Sequence, residues 1–201
     1  MRALSNKKKD EGMDMINERL EKWLKERDFK RSIAKGVYYA SQLSFYPHEI
    51  EEIRRKYQEE TDIDLLKIFR IGVLFHDFIQ SNLFQDAFTE VPTSYKVNEN
   101  ISIVGRADIL LGDTIIELKT TSWEVKQINQ KHIAQIMFYL GSLKKKKGII
   151  AYVNKKDFSI QEFSVEFSES KFKQLIEAVK QHYEVYENGS EDNRGNYEQR
   201  E

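Results

Sequence analysis

The 201-residue sequence contains no cysteine. This absence excludes disulfides, thiolate zinc sites and cysteine-ligated iron–sulfur clusters. Any metal must therefore be held by carboxylates, histidines or backbone carbonyls, a set of donors that suits magnesium or manganese. Only four histidines are present, so each of them is a candidate ligand.

The chain also has little net charge and no long apolar run. Its formal net charge is −1, so a nucleic-acid partner has to be held by local basic patches and not by an overall positive field. No stretch approaches the ~20 apolar residues of a membrane span, and the N-terminus lacks the apolar run of a signal peptide. We therefore expect a cytoplasmic protein, in the host cytoplasm if it is viral, without a membrane partner. The oligomeric state stays open.

The spacing of apolar residues predicts a mixed α/β domain. A helix that begins at Asp62 or Asp64 and runs to about Phe84 is apolar over much of its surface, and we expect it to be buried. The other predicted elements are helices over residues 12–28, 48–60, 124–145 and 168–187, strands over 86–97, 101–111, 114–121 and 148–153, and an edge strand over 158–167. The predicted organisation is a helical N-terminal arm over residues 1–60, a core over 61–187 and a disordered tail over 188–201.

A hairpin in the middle of the chain carries the first candidate site. Gly112 and Asp113 stand between two β-rich runs, which indicates a two-residue type II′ turn. Counting outward from this turn places Asp108 opposite Glu117. Residues paired in this way share a face, with Cβ atoms roughly 4.5–5.5 Å apart. The register therefore predicts two carboxylates side by side.

The same register divides the other side chains between the two faces of the sheet. Lys119 returns to the carboxylate face two positions after Glu117, opposite Arg106. We expect the opposite face to be the core face, and it carries Ile103, Gly105, Ala107, Ile109, Leu111, Ile116 and Leu118.

Two interpretations of the carboxylate pair are open on the hairpin alone. Like charges placed opposite each other cost free energy, and a divalent cation between Asp108 and Glu117 would remove that cost, polarise a phosphodiester and generate hydroxide. Lys119 would orient water or neutralise charge on the phosphate, and the Leu118 carbonyl would be a further ligand. Alternatively, the hairpin is a solvated surface on which Arg106 and Lys119 balance the carboxylates.

Asp108 and the run Glu117-Leu118-Lys119 resemble the acidic and Glu-x-Lys elements of the PD-(D/E)xK nucleases. The predicted order of a helix, three strands, a helix and a strand is similar to the core of that superfamily. The resemblance implies a restriction-endonuclease-like fold, with a mixed central sheet flanked by helices in αβββαβ order. Within the superfamily the chain looks like the RecB-type branch, which includes CRISPR-associated nucleases and small viral exonucleases.

That branch adds two elements, and both have counterparts here. Gly72 and His76 lie four residues apart in the helix before the strands, where the resemblance implies a metal-ligating imidazole. Gln135 and Tyr139 lie four apart in the helix after the hairpin, with His132 one turn earlier. Taken singly, His76 and Tyr139 would be ordinary core residues and Gln135 a surface residue. Four elements in the family's order are much more specific than any one alone.

The chain departs from the family pattern at two places. The segment 41–47 is similar to the one that carries the first cluster cysteine in iron–sulfur members, but Tyr46 stands in the cysteine position and no C-terminal cysteine follows. The resemblance thus implies a cluster-free member, in which the N-terminal arm packs against the last helix. Ala107 replaces the proline before the first acidic residue, as is common in RecB-type members.

The function implied by this resemblance is that of a Mg²⁺- or Mn²⁺-dependent DNA nuclease. We expect an exonuclease that prefers single strands or free ends, with some endonuclease activity. The expected catalytic residues are Asp108, Glu117 and Lys119, and the expected metal ligands are His76, Asp108, Glu117 and the Leu118 carbonyl. The expected DNA contacts are Gln135, Tyr139, Arg106, Lys144 and Lys145, and the expected supporting residues are Glu90 and His132. The alternatives are a non-catalytic nucleic-acid-binding protein on the same fold and a structure-specific endonuclease of the junction-resolvase or restriction type.

Overall fold

The computed structural model describes residues 11–26, 33–59 and 62–189, without the side chains of residues 11–15. The ends of two predicted helices, at residues 27–28 and 60, and the predicted tail from residue 190 onward lie outside the described residues. The helices are α1 (Glu11–Glu26), α2 (Pro47–Gln58), α3 (Ile63–Leu83), α4 (Gln130–Ser142) and α5 (Glu169–His182). The strands are β1 (Val37–Tyr39), β2 (Phe88–Lys96), β3 (Ser102–Leu111), β4 (Thr114–Thr121), β5 (Lys147–Asn154) and β6 (Ile160–Glu166).

The six strands form one mixed sheet in the order β1-β3-β4-β5-β6, with β2 paired to β3. Strands β1 and β3 run parallel, as do β4 and β5, whereas the other neighbours are antiparallel. The predicted mixed α/β architecture is confirmed, and β6 is an edge strand as expected. Strand β1 was not predicted; it lies within the N-terminal sixty residues, so this part of the chain also contributes to the sheet.

Strand β3 has an interrupted edge, and this interruption positions the candidate site. Strand β2 pairs with β3 along residues 102–110. The other edge of β3 pairs with β1 at residues 102–104 and with β4 at residues 109–111. Between these two partners, residues 105–108 have no strand on that edge in the described part of the chain. The sheet therefore opens next to Asp108.

Helices cover both faces of the sheet, and the expectation of a single core face is wrong. The larger core lies under α4 and α5 and includes Ile103, Ala107 and Ile115. The smaller core lies under α3 and includes Ile109, Ile116 and Leu118. Side chains of β3 change face between Ala107 and Ile109, so the simple alternation used for the prediction fails there. The change occurs opposite Glu90, whose φ of 53° departs from strand geometry.

Helix α3 is much more exposed than expected. Asp62 caps it by accepting a hydrogen bond from the Asp64 backbone N–H at 3.3 Å. Of its side chains only Ile79 and Gln80 are buried, because one face packs on the sheet and α1 contacts part of the rest. No helix in the described ranges is both long and apolar enough to cross a membrane.

The N-terminal part of the chain packs against the last helix, as the resemblance implies. Arg54 in α2 is buried and forms an ion pair of 2.6 Å with Glu187, in a π-helical turn that follows α5. The fully buried His182 is hydrogen-bonded to the Tyr38 hydroxyl at 2.8 Å and to Glu51 at 3.0 Å. These side chains tie β1 and α2 to the C-terminal helix.

Candidate active site

The β3–β4 hairpin has the predicted turn and register. Gly112 has a φ of 57°, as a type II′ turn requires, and the three strand pairs nearest the turn are those obtained by counting. The expected fourth pair, Asp108 with Glu117, is not part of the ladder. Instead the Asp108 carboxylate accepts a hydrogen bond from the Leu118 backbone N–H at 2.7 Å. Because N–H and C=O of one strand residue point to the same side, the Leu118 carbonyl also faces this opening.

Glu117 is buried with one oxygen unsatisfied. Its side chain is 2% exposed, and Oε1 accepts a hydrogen bond from Lys119 Nζ at 2.7 Å. Its Oε2 has no hydrogen-bond partner among the described residues. Burial and the neighbouring Asp108 carboxylate raise the pKa of Glu117, against the opposing effect of Lys119. An unsatisfied carboxylate oxygen in such a place is costly, so it is a free donor position for a cation.

Asp108 has a similar environment. Burial raises the pKa of its carboxyl, although Lys119 and the hydrogen bond from the Leu118 amide act in the opposite direction. Two adjacent carboxyl groups with raised pKa values are disfavoured as a pair of anions, and a bound divalent cation favours their ionised forms.

Lys119 connects the hairpin to α4. Its ammonium group donates to Glu117 and, at 2.8 Å, to Gln135 Oε1, and Gln135 Nε2 donates to the Tyr139 hydroxyl at 3.2 Å. Burial acts to lower the pKa of Lys119, but the Glu117 and Asp108 carboxylates outweigh it and raise that pKa. The lysine is therefore a cation held in a fixed position. The structure thus brings together the Glu-x-Lys run and the Gln-x3-Tyr pair.

His76 approaches the same opening from α3. Its Nδ1 lies 3.7 Å from Asp108 Oδ2, which is too long for a hydrogen bond. Burial, followed by the Lys119 charge, lowers the pKa of His76, so the imidazole is neutral and suited to metal ligation. A Cβ added at Gly72 would lie 3.4 Å from Thr120 Oγ1, about an ordinary van der Waals distance, so α3 and β4 are adjacent there without requiring glycine.

Gln80 is a component of the site that the sequence reasoning missed. This buried side chain lies one helical turn after His76 and donates to the Asp108 carbonyl at 3.0 Å and to Glu90 Oε1 at 3.1 Å. Glu90 also forms an ion pair of 3.3 Å with the exposed Arg106. Glu90 therefore reaches Asp108 through Gln80 and supports the site from its side. The spacing of four residues from His76 was the available signal.

A cavity of about 490 Å³ adjoins these residues. Its lining includes residues 39–41, residues 104–106 of β3, Glu90, Gln135 and Tyr139. A Cβ added at Gly105 would lie 2.7 Å from Ala40 Cβ and 2.8 Å from Tyr139 Cε1. The cavity therefore lies beside the interrupted edge of β3. Gly105 is part of its wall, at a position where a larger side chain would collide with Ala40 and Tyr139.

Three predicted residues lie elsewhere. Lys145 forms an ion pair of 2.6 Å with Asp113 at the hairpin turn, about 13 Å along β4 from Glu117. Lys144 precedes it with a left-handed φ of 55°. His132 is hydrogen-bonded to the Tyr152 hydroxyl at 2.7 Å, and burial together with Lys119 lowers its pKa to about 4. The structure does not bring these side chains to the carboxylates.

The donor set suits magnesium or manganese. The described residues contain no group of three His, Asp or Glu side chains that holds an ion by itself. Mg²⁺ retains several waters and commonly uses only one or two carboxylates. Asp108, the free oxygen of Glu117 and the Leu118 carbonyl meet that requirement, with His76 at their edge.

Comparisons with known proteins concern the fold of the chain. No family model and no curated protein sequence matches the chain. The crystal structure of SSO0001 superposes with a TM-score of 0.62 at 20% identity, covering 86% of this chain and 87% of that one. The alkaline exonuclease LHK-Exo from Laribacter hongkongensis gives a TM-score of 0.54 at 14% identity, covering 82% and 92% of the two chains. This chain shares the fold of these two proteins. The complex of LHK-Exo with dAMP gives 0.56 at 14% identity, covering 84% and 93%.

Proposed function

We propose that the chain is a metal-dependent deoxyribonuclease of the RecB-type PD-(D/E)xK branch. The observation that carries the proposal is the buried Glu117 carboxylate beside Asp108, which has one oxygen bound to Lys119 and the other without a hydrogen-bond partner in the described ranges. Burying two carboxylates and leaving one oxygen unsatisfied is costly for a purely structural site. A divalent cation removes that cost. The site thus favours a catalytic role over a non-catalytic binding protein.

Each residue has a distinct role in the proposed hydrolysis of a phosphodiester. Asp108, Glu117 Oε2 and the Leu118 carbonyl hold the cation, with His76 completing or orienting this set. A cation bound here supplies Lewis acidity and lowers the pKa of water. Lys119, fixed by Glu117 and Gln135, places its positive charge beside the scissile phosphate.

The proposed substrate is DNA with a free end, with single strands preferred. The cavity beside the carboxylates contains Arg106, a guanidinium suited to phosphate, and Tyr39, whose ring is suited to stacking on an unpaired base. LHK-Exo, which has the same fold, was solved with dAMP.

Cleavage of labelled DNA with Mn²⁺ and with EDTA tests the proposal. Wild type is expected to degrade linear single strands and to spare circular ones, and Glu117→Gln is expected to lose at least ~100-fold in rate. The matched control is Glu166→Gln, which alters an exposed carboxylate on β6. Cleavage by Glu117→Gln at the wild-type rate, or full activity in EDTA, would refute the proposal. Rapid cleavage of circles would favour an endonuclease instead.

A further inference from the structure

The loop that follows β4 carries an exposed tryptophan. The Trp123 side chain is 72% exposed, although tryptophan is highly buried on average in folded proteins. The chain has one other tryptophan, Trp23, and its ring packs against the Arg70 guanidinium of α3 at 4.9 Å. A large flat ring that stays in water is suited to contact another molecule.

Thr121 fixes the backbone of Trp123 on the face of the sheet that carries the catalytic residues. The Thr121 hydroxyl donates to the Trp123 carbonyl at 2.9 Å and accepts from the Trp123 N–H at 3.2 Å. Side chains alternate along a strand, so Thr121 shares a face with Glu117 and Lys119. Thr121 lies roughly 7 Å along β4 from Lys119. The chain therefore turns toward the catalytic face as it leaves β4, and Trp123 stands beside the candidate active site.

The same threonine connects this loop to a group of lysines at the end of β5. The Lys155 N–H donates to the Thr121 carbonyl at 2.8 Å, and Lys156 follows in an exposed position. Residues 122–131 and 154–157 together contain four lysines and two acidic residues. One of these acidic residues, Asp157, already accepts hydrogen bonds from the N–H and the hydroxyl of Ser159. This edge of the sheet is therefore locally positive in a chain whose net charge is −1.

An exposed ring beside lysines matches the chemistry of a single nucleic-acid strand. Unpaired bases stack on aromatic rings whatever their sequence, and lysines bind the phosphates of the backbone. A specific protein interface buries ~800 Å² on each partner, whereas the exposed neighbours of Trp123 in the loop, Glu124, Lys126 and Gln127, are charged or polar. The surroundings of Trp123 thus favour a nucleic-acid strand over a protein partner.

We propose that Trp123 stacks on an unpaired base of the DNA strand and that Lys155 and Lys156 bind its phosphates, a few nucleotides from the bond that is cut. This inference rests on the proposed function, because it places the strand relative to Glu117 and Lys119. It puts one stacking residue on the β4 side of the carboxylates, whereas the cavity with Tyr39 lies on the β3 side.

Binding of oligothymidylate in EDTA tests the stacking without cleavage. In a Trp23→Phe variant Trp123 is the remaining tryptophan, and its fluorescence is expected to fall to a saturating value as oligothymidylate is added. By fluorescence anisotropy of a labelled oligonucleotide, Trp123→Ala is expected to raise the Kd at least ~5-fold. Trp123→Phe keeps a ring and is expected to retain most of the affinity.

The matched control is Phe88→Ala, which removes an aromatic ring that is 75% exposed. Phe88 pairs with Leu110 beside the hairpin turn, at the opposite end of the sheet from Thr121, so its Kd is expected to equal that of wild type. A Trp123→Ala variant that binds oligothymidylate as wild type does, or a wild type that does not bind it, would overturn the inference.

Steady-state cleavage distinguishes this inference from the proposed function. Trp123→Ala is expected to raise KM at least ~5-fold and to leave kcat nearly unchanged, because Trp123 does not touch the reacting atoms. Cleavage by wild type together with an unchanged KM in Trp123→Ala overturns the stacking and leaves the nuclease intact. Binding through Trp123 without any cleavage by wild type supports the stacking and refutes the nuclease.

The salt dependence of binding tests the phosphate contacts. Each phosphate contact to a single strand contributes about 0.7 to the slope of log K against log salt concentration. Replacing Lys155 and Lys156 by alanine in one chain is therefore expected to lower that slope by about 1.4. The same double replacement at the exposed Lys171 and Lys173 of α5 is the control. An equal slope in wild type and in the Lys155→Ala, Lys156→Ala variant would overturn these contacts.

Discussion

Replacing Glu117 by glutamine is expected to stabilise the metal-free protein while it removes activity. The carboxylate is 2% exposed and has one oxygen without a hydrogen-bond partner among the residues that the structure describes. An unsatisfied buried polar group costs about 1–3 kcal/mol, with more for a charge. Glutamine retains an oxygen that accepts from Lys119 and carries no charge. We expect a gain of about 1–3 kcal/mol at pH 8, which corresponds to roughly 2–12 °C in Tm for a chain of this size.

The gain depends on pH because the pKa of Glu117 is raised in the folded state. Near pH 4 the carboxyl is largely protonated in both the folded and the unfolded chain, so removing it changes little. As pH rises through the ordinary glutamate range, the unfolded chain ionises first and the folded chain must then ionise a buried group. Wild type therefore loses stability relative to Glu117→Gln as pH rises.

Thermal unfolding followed by circular dichroism in EDTA at pH 4.5 and pH 8 measures this difference. Excess Mg²⁺ at pH 8 is then expected to raise the Tm of wild type and not of Glu117→Gln, because only wild type has the complete site. The exposed-site control Glu166→Gln is expected to stay within about 0.5 kcal/mol of wild type. A Glu117→Gln variant that melts below wild type at pH 8 in EDTA would refute the reasoning.

Three further predictions concern other residues. Lys119→Met is expected to lower kcat at least ~100-fold in the DNA cleavage assay, while Mg²⁺ still raises the Tm of this variant. Retention of activity would contradict the role given to Lys119. Burial and Arg54 lower the pKa of His182 to about 4, so the unfolded chain binds the proton first as pH falls, and the free energy of unfolding drops by up to ~3 kcal/mol between pH 6.5 and 4. In His182→Gln the free energy of unfolding is expected to depend less on pH across that range, and a slope equal to that of wild type would contradict this. Gly105→Ala introduces contacts of 2.7 and 2.8 Å, so calorimetry is expected to show a loss of about 1–3 kcal/mol, and an unchanged Tm would contradict the close packing.

Local rules were sufficient for the hairpin and the main elements. A Gly-first turn fixes the register of the next three pairs, and the helical spacing of Gln135 and Tyr139 places both on the side of α4 that faces Lys119. Strands β2 to β6 were each recognisable because apolar residues alternate or run together over six or more positions.

Long-range contacts explain what the sequence did not reveal. Strand β1 has three residues, too few for a pattern, and it forms only because β3 has a free edge there. The departure of Asp108 from the ladder arises from its own carboxylate taking the Leu118 amide. Exposure of α3 depends on what packs against it, because an apolar helix with a cover and one without it have the same composition.

Manganese binding measured together with DNA cleavage in the same samples tests the central claim most directly. Electron paramagnetic resonance of free Mn²⁺ gives the number of ions bound per chain in wild type and in an Asp108→Asn, Glu117→Gln double variant. The account predicts at least one saturable ion in wild type, its loss in the double variant, and cleavage that rises with occupancy. An equal number of bound ions in both proteins, or cleavage by wild type before any ion binds, would contradict it.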